Sequence, residues 1–240
     1  MAKRGERKVQ KAISAPKIVH VNRKQKEFVP KIKPGTHSKK SAVTLGFCLK
    51  DILRLAKNTK ETKAIVSSGL VLVNGIVRKK MSFNVGLFDI IELPKLKIAY
   101  RAIVDKKGRL KLKETQDKGF KVSRVEKKRK AKKGKVIVTT NDGFNIEVPE
   151  KEVFVGDSIK LSLPEKKFLE TYRLEVGNKA LIVDGSHVGI IGKITKIIEG
   201  SINRRKAVEL ETKEGKIVTI AKNVYVVGKE NPEIEVLKGE

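Results

Sequence analysis

The sequence predicts an α+β, multi-domain protein: a basic extended N-terminal arm, a small two-helix plus β-hairpin module, a central β-rich domain and a C-terminal five-stranded β-barrel. Three observations carry this. Lysine and arginine are segregated along the chain, apolar spacing changes from helical to strand-like near residue 70, and glycine- or asparagine-bearing turns recur after that. The charge is the most informative of the three. The net is +28, with 13 basic and 2 acidic side chains in residues 1–40, 10 and 4 in 41–100, 16 and 4 in 101–135, and 16 and 17 in 136–240. A cationic half joined to a near-neutral remainder is built against a dense polyanion, and nucleic acid is the expected one.

Residues 1–40 show no sustained period and carry Pro16, Pro30 and Pro34 at short intervals. They read as an extended arm that orders on its partner, with Ile18, Val19, Val21, Phe28 and Val29 as apolar anchors for its middle; a disordered tail is the plainer alternative. Over 41–57, Val43, Leu45, Cys48, Leu49, Ile52, Leu53 and Leu55 recur at helical spacing, with Lys50, Asp51, Arg54 and Lys57 on the other face. A second short helix follows, with Thr59 as its cap, Ala64, Ile65 and Val66 buried, and Ser67-Ser68-Gly69 as its stop. Strands at 70–73 and 76–78 flank Asn74-Gly75, a strong tight-hairpin signal. Another strand, 89–93, follows a turn at Val85-Gly86-Leu87-Phe88.

Residues 94–170 read as mostly β, with one hairpin turning at Lys106-Lys107-Gly108 and another at Asn141-Asp142-Gly143. Between them runs the basic segment 121–135. A charge run is usually a solvated loop, but its setting favours binding to a phosphate backbone. From 177 to 197, alternating aliphatics are broken by Gly185, Gly189 and Gly192. Gly185 and Gly189 bracket a tight loop that needs positive φ or no Cβ. Strands at 208–210, 217–220 and 224–227 would close the barrel.

Composition narrows the chemistry. Aromatics are 5% and Trp is absent, so stacking on exposed bases has few residues to work with, and phosphate and sugar contacts must dominate. One cysteine, Cys48, excludes an internal disulfide framework and sits on an apolar helix face as core packing. His20, His37 and His187 are scattered, without metal-ligand spacing. No Walker loop or Rossmann glycine fingerprint is present. Neither a spanning apolar run nor a secretory leader is seen, and no amphipathic helix with bulky apolar anchors suggests membrane attachment. We expect a cytoplasmic, non-enzymatic protein with no catalytic residues, no metal, no cofactor and no small-molecule substrate.

The stretch Ser67-Ser68-Gly69-Leu70-Val71-Leu72-Val73-Asn74-Gly75, with Val85-Gly86 and Asp89-Ile90-Ile91 after it, resembles the S-four RNA-binding module. The run from Gly177 through Asp184-Gly185 to Gly189, Gly192, Ile194 and Ile197 resembles the KOW motif, which implies an SH3-like barrel. With the basic arm in front, the order of modules over nearly the whole chain resembles the small-subunit ribosomal S-four-e family of archaea and eukaryotes, with an archaeal lean. The resemblance also takes in Ala15-Pro16-Lys17, Pro34-Gly35 with His37, and the segment from Asp105 to Arg109. It implies a basic arm at 1–40, an S-four-type domain at 41–97, a central basic β domain at 98–170 and a KOW barrel with tail at 171–240.

The implied role is structural: binding small-subunit ribosomal RNA beside neighbouring ribosomal proteins, within the ribosome. A non-ribosomal RNA-binding translation or transcription factor is the alternative. Candidate RNA-binding residues in the arm are Lys3, Arg4, Arg7, Lys8, Lys11, Lys17, Lys33, His37, Lys39 and Lys40. On the helix pair they are Lys50, Arg54, Lys57, Lys60 and Lys63, and after the hairpin Arg78, Lys79 and Lys80. The central domain offers Arg101, Arg109, Lys121, Arg124, Lys127, Lys128, Arg129, Lys130, Lys132 and Lys133, and the glycine loop Gly185, Ser186 and His187. Any single lysine on a helix face has solubilising charge as its plainer reading.

Overall fold

Short antiparallel strands make up most of the regular structure, and helices are few. A computed structural model describes residues 9–22, 24, 26–131, 135–149, 153–202, 204–213, 215–229 and 232–237. The chain divides into two compact units, one running to Ile103 and adding Arg109–Lys113, the other holding Val104–Gly108 and everything from Glu114.

In the first unit, β1 (Val9–Lys11) and β2 (Phe28–Pro30) form an antiparallel ribbon. The described part of the arm is docked on its own chain, since Ala12, Ala15, Ile18 and Val29 enter the hydrophobic core. Phe28, expected as an anchor, is instead exposed.

The helix expected over 41–57 is shorter and irregular. Its first residues are β3 (Ala42–Thr44), and only α1 (Leu45–Phe47) and a π-helical turn, Cys48–Ile52, follow. Thr44 caps α1 by accepting from the Phe47 amide. The apolar spacing here reflects burial all round, because 42–49 are buried without a break.

In α2 (Thr59–Ser67) the cap is Asn58 rather than Thr59: its Oδ1 accepts from Glu61 N at 2.9 Å, and Glu61 Oε2 reaches back to Lys57 N at 2.8 Å. Thr62 and Val66 face the core, while Ala64 is exposed and Ile65 half-buried. Residues four apart share a helix face and consecutive ones do not, which decides this against the expected 64–66 run.

After the helix come β4 (Leu72–Val73), β5 (Ile76–Val77), β6 (Asn84–Gly86), β7 (Ile90–Leu93), β8 (Ile98–Val104) and β9 (Leu110–Glu114). Their sheet runs β5-β4-β7-β8-β9, while β6 pairs with β3. Part of the expected 85–88 turn is therefore strand. Asn74 and Gly75 both take positive φ (55° and 75°), the conformation that a two-residue turn matching strand twist demands.

In the second unit, β10 (Phe120–Lys130), β11 (Val136–Thr140), β12 (Asn145–Val148), β13 (Ser158–Ser162) and β14 (Phe168–Tyr172) form a sheet of order β12-β11-β10-β13-β14. Much of the basic run read as a connecting segment is thus the central strand of five, with 121–125 buried. A second sheet holds β15 (Lys179–Ile182), β16 (Ile191–Ile198), β17 (Ala207–Thr212), β18 (Gly215–Ile220) and β19 (Val224–Gly228), in the order β18-β17-β16-β15-β19. The two sheets are tied within this unit by Ser158 Oγ, which accepts from Val226 N at 3.0 Å, and by Lys160 paired with Glu233 near the C-terminus.

Candidate nucleic-acid interface

A cation binds phosphate only where its head reaches solvent, so burial sorts the candidates. In the first unit Lys11, Lys17, Lys33, Lys39 and Lys40 are exposed along the arm, as are Lys57, Lys60 and Lys63 at α2. Arg54 is exposed and sits at φ 54°, closing the π-helical turn. Lys50 is half-buried, and its ammonium donates to Thr59 Oγ1 at 3.2 Å, joining that turn to the start of α2.

After the hairpin, the Arg78 guanidinium lies 4.4 Å from the centre of the Phe83 ring, and its backbone N–H donates to Val71 O. That stack holds a planar cation in place beside exposed Lys79 and Lys80. Helix pair and hairpin therefore present eight basic residues of one sign within a single unit.

Four candidates face inward instead. His37 is 6% exposed, Arg101 0%, Lys121 3% and Arg124 8%. Lys121 Nζ is spent on Asp142 Oδ2 at 2.6 Å, and burial lowers the Arg124 pKa from its ordinary value. All four side chains are buried in the described structure, and His37 and Lys121 are paired there with Asp89 and Asp142. Arg109 is half-buried.

On the outer half of β10, Lys127, Arg129 and Lys130 are exposed. By strand alternation Lys127 and Arg129 share one face. Lys128 points the other way, donating to Val153 O at 2.8 Å with its ammonium 5.1 Å from the Phe154 ring centre. Lys3, Arg4, Arg7, Lys8, Lys132 and Lys133 lie outside the described residues.

Gly185, Ser186 and His187 are exposed, and Gly185 takes φ 106°. Gly189 closes the loop at φ 81°, and a Cβ there would meet Lys106 N at 2.8 Å. Its bareness therefore serves close packing against the chain's own Asp105-Lys106 turn. Charge elsewhere in this region is matched by pairs such as Lys206–Glu199 and Lys216–Glu209.

Sequence reasoning missed the carboxylate that organises the hairpin module. Asp89, 1% exposed, takes the Asn74 amide on Oδ1 at 2.7 Å. Its Oδ2 lies 2.7 Å from Gly86 N and 2.8 Å from His37 Nε2. Asn74 Oδ1 in turn accepts from Ile90 N at 2.9 Å. Asn84 Nδ2 donates to the Lys33 and His37 carbonyls at 2.8 and 3.2 Å. One buried network thus ties the arm, the Asn-Gly hairpin and the Gly86 turn together. Leu87-Phe88, with Phe88 at φ 61°, form the bend that brings Asp89 back onto Gly86. The Gly-x-x-Asp spacing was the available signal. The Gly86 position must be bare, since a Cβ would fall 2.4 Å from the His37 ring.

Among the described residues no group of three or more His, Cys, Asp or Glu is placed to hold a metal ion. Cys48 is fully buried, and burial pushes its thiol pKa far up, which removes it as a nucleophile. No described helix is long and apolar enough to cross a membrane.

Residues 97–168 match a family model described as "Ribosomal family S4e". The small ribosomal subunit protein eS4 of Methanosphaera stadtmanae is 36% identical over 239 residues, covering 99% of each chain. That of Archaeoglobus fulgidus is 38% identical over 230 residues, 95% of this chain and 96% of the relative. The crystal structure of the 30S ribosomal protein S4e from Thermoplasma acidophilum superposes with a TM-score of 0.68 at 31% identity, covering 79% of this chain and 96% of that one.

Proposed function

This chain belongs to the ribosomal S4e family, and we propose that it is a structural constituent of the small ribosomal subunit that binds ribosomal RNA. The observation that carries this is the end-to-end match to archaeal relatives named for that subunit. The family is one of ribosomal proteins, not of enzymes, and we assign the chain no catalytic step.

The exposed cations support a division of labour. Residues 41–97 act as the S-four-type module, contacting RNA backbone through Lys50, Arg54, Lys57, Lys60, Lys63 and the Arg78-Lys79-Lys80 triplet. Residues 98–170 add Lys127, Arg129 and Lys130. Residues 171–240 form a KOW-type, SH3-like barrel whose near-neutral surface suits neighbouring ribosomal proteins as well as RNA. Contacts of this kind read phosphate and shape, so affinity falls steeply with salt.

The test is binding of the purified chain to transcribed small-subunit and large-subunit ribosomal RNA over a range of salt. The reading expects tighter binding to the small-subunit transcript that persists as salt rises. Equal binding to both transcripts at every salt would contradict it.

A further inference from the structure

The chain has eight Phe and three Tyr, and Phe28 and Phe154 alone among them are exposed, at 50% and 57%. Phe154 already faces the Lys128 ammonium. Phe28 stands on the β1–β2 ribbon, where the register pairs Val9 with Pro30, Gln10 with Val29 and Lys11 with Phe28. Strand alternation turns Val29, 2% exposed, into the core, and sets Val9, Lys11, Phe28 and Pro30 together on the outer face. A one-residue slip that buried Phe28 would expel Val29, so the docking of the ribbon itself fixes the ring in solvent. Lys11 is its directly opposed neighbour and is exposed.

Charge decides what this face meets. Residues 9–40 hold nine basic side chains and one acidic one, which suits a polyanion and repels a basic protein neighbour. Lys26 pairs with Asp51, so the ribbon is held beside the helical turn that carries Lys50 and Arg54. A bare aromatic ring with a cation directly across the strand matches a splayed-out nucleotide, base on the ring and phosphate on the ammonium. We propose that the outer face of the β1–β2 ribbon is a base-stacking site, in which Phe28 stacks on an unpaired base of ribosomal RNA and Lys11 holds the neighbouring phosphate. This rests on the RNA-binding role above and adds to it a contact with a base.

The test uses the full-length chain and a small-subunit ribosomal RNA transcript, with Phe28→Ala, Phe28→Leu and Phe28→Trp. Phe28→Ala is expected to weaken binding roughly 5- to 150-fold, the range of one base–aromatic stack. The slope of log affinity against log salt stays unchanged, because no ion pair is lost. Phe28→Trp restores binding and Phe28→Leu does not. Thermal melting of the variants checks that the unit remains folded. Wild-type affinity in Phe28→Ala or Phe28→Leu would overturn the site. A wild-type chain that fails to bind the transcript would instead remove the RNA-binding role itself.

Discussion

Replacing Asp89 with Ala is expected to destabilise the first unit selectively. The Asp89 carboxylate is 1% exposed and accepts from Asn74 Nδ2, Gly86 N and His37 Nε2, all within 2.7–2.8 Å. Removing it leaves those three donors inside the protein. An orphaned buried donor costs about 1–3 kcal/mol, so simple addition sets a ceiling of ~9 kcal/mol. Losses within one network are not additive, and a realistic figure is about 3–5 kcal/mol. That is a large share of the roughly 5–15 kcal/mol that holds a domain folded. Asp89→Asn is milder, at about 1–3 kcal/mol. Its single oxygen can still serve Gly86 and His37, but its amide then meets the Asn74 amide donor to donor. Two compact units make a single unfolding midpoint ambiguous. The assay is therefore amide hydrogen exchange read by peptide, in increasing urea. Fast exchange in β3 to β7 with β10 to β14 unchanged is the expected result. A loss below about 1 kcal/mol in β3 to β7 would show that these hydrogen bonds contribute little.

Four further outcomes are expected. Gly86→Ala places a methyl 2.4 Å from the His37 ring and should cost about 1–3 kcal/mol, part of which His37→Ala recovers in a double-mutant cycle; additive losses would separate the two residues. Reversing the charges of Arg78, Lys79 and Lys80 should weaken RNA binding and flatten the salt slope by about 2–3, and an unchanged slope would take the triplet out of the interface. Asp157 accepts from Phe154 N and Leu174 N at 2.8 and 2.9 Å, so Asp157→Ala should cost about 2–4 kcal/mol in urea unfolding, and a loss of a few tenths would show those amides to be solvated. Burial, outweighing these hydrogen bonds, raises the Asp157 pKa from its ordinary 3.8. The folded state then binds the proton more tightly than the unfolded chain, so this contribution is complete below 3.8 and fades as pH rises through the folded value. Asp157→Asn should remove that part of the pH slope, and an unaltered slope would assign it to other carboxyls.

Features written in local chemistry were legible in the sequence. Asn74-Gly75, Gly143 and the Gly185–Gly189 loop all turn where their backbone freedom requires, with positive φ at each glycine. What escaped depends on partners distant in the chain. Ala42–Thr44 carries helical spacing but becomes a strand because Asn84–Gly86 lies alongside. Lys121 reads as one more surface cation until Asp142 meets it, and His37 as an RNA ligand until Asp89 does. Phe28 looks like an anchor because it is apolar, yet it is the ribbon register that decides which of Phe28 and Val29 is buried. The candidate interface was visible as a charge density, and burial then selected which of its residues present charge.

Integral membership of the small subunit can be measured by sucrose-gradient sedimentation of native extract with quantitative immunodetection, before and after a high-salt wash. The expected result is one copy of the chain per small subunit, retained through the wash. Release by salt, or occupancy well below one copy, would contradict it and indicate an accessory RNA-binding factor in place of a structural component.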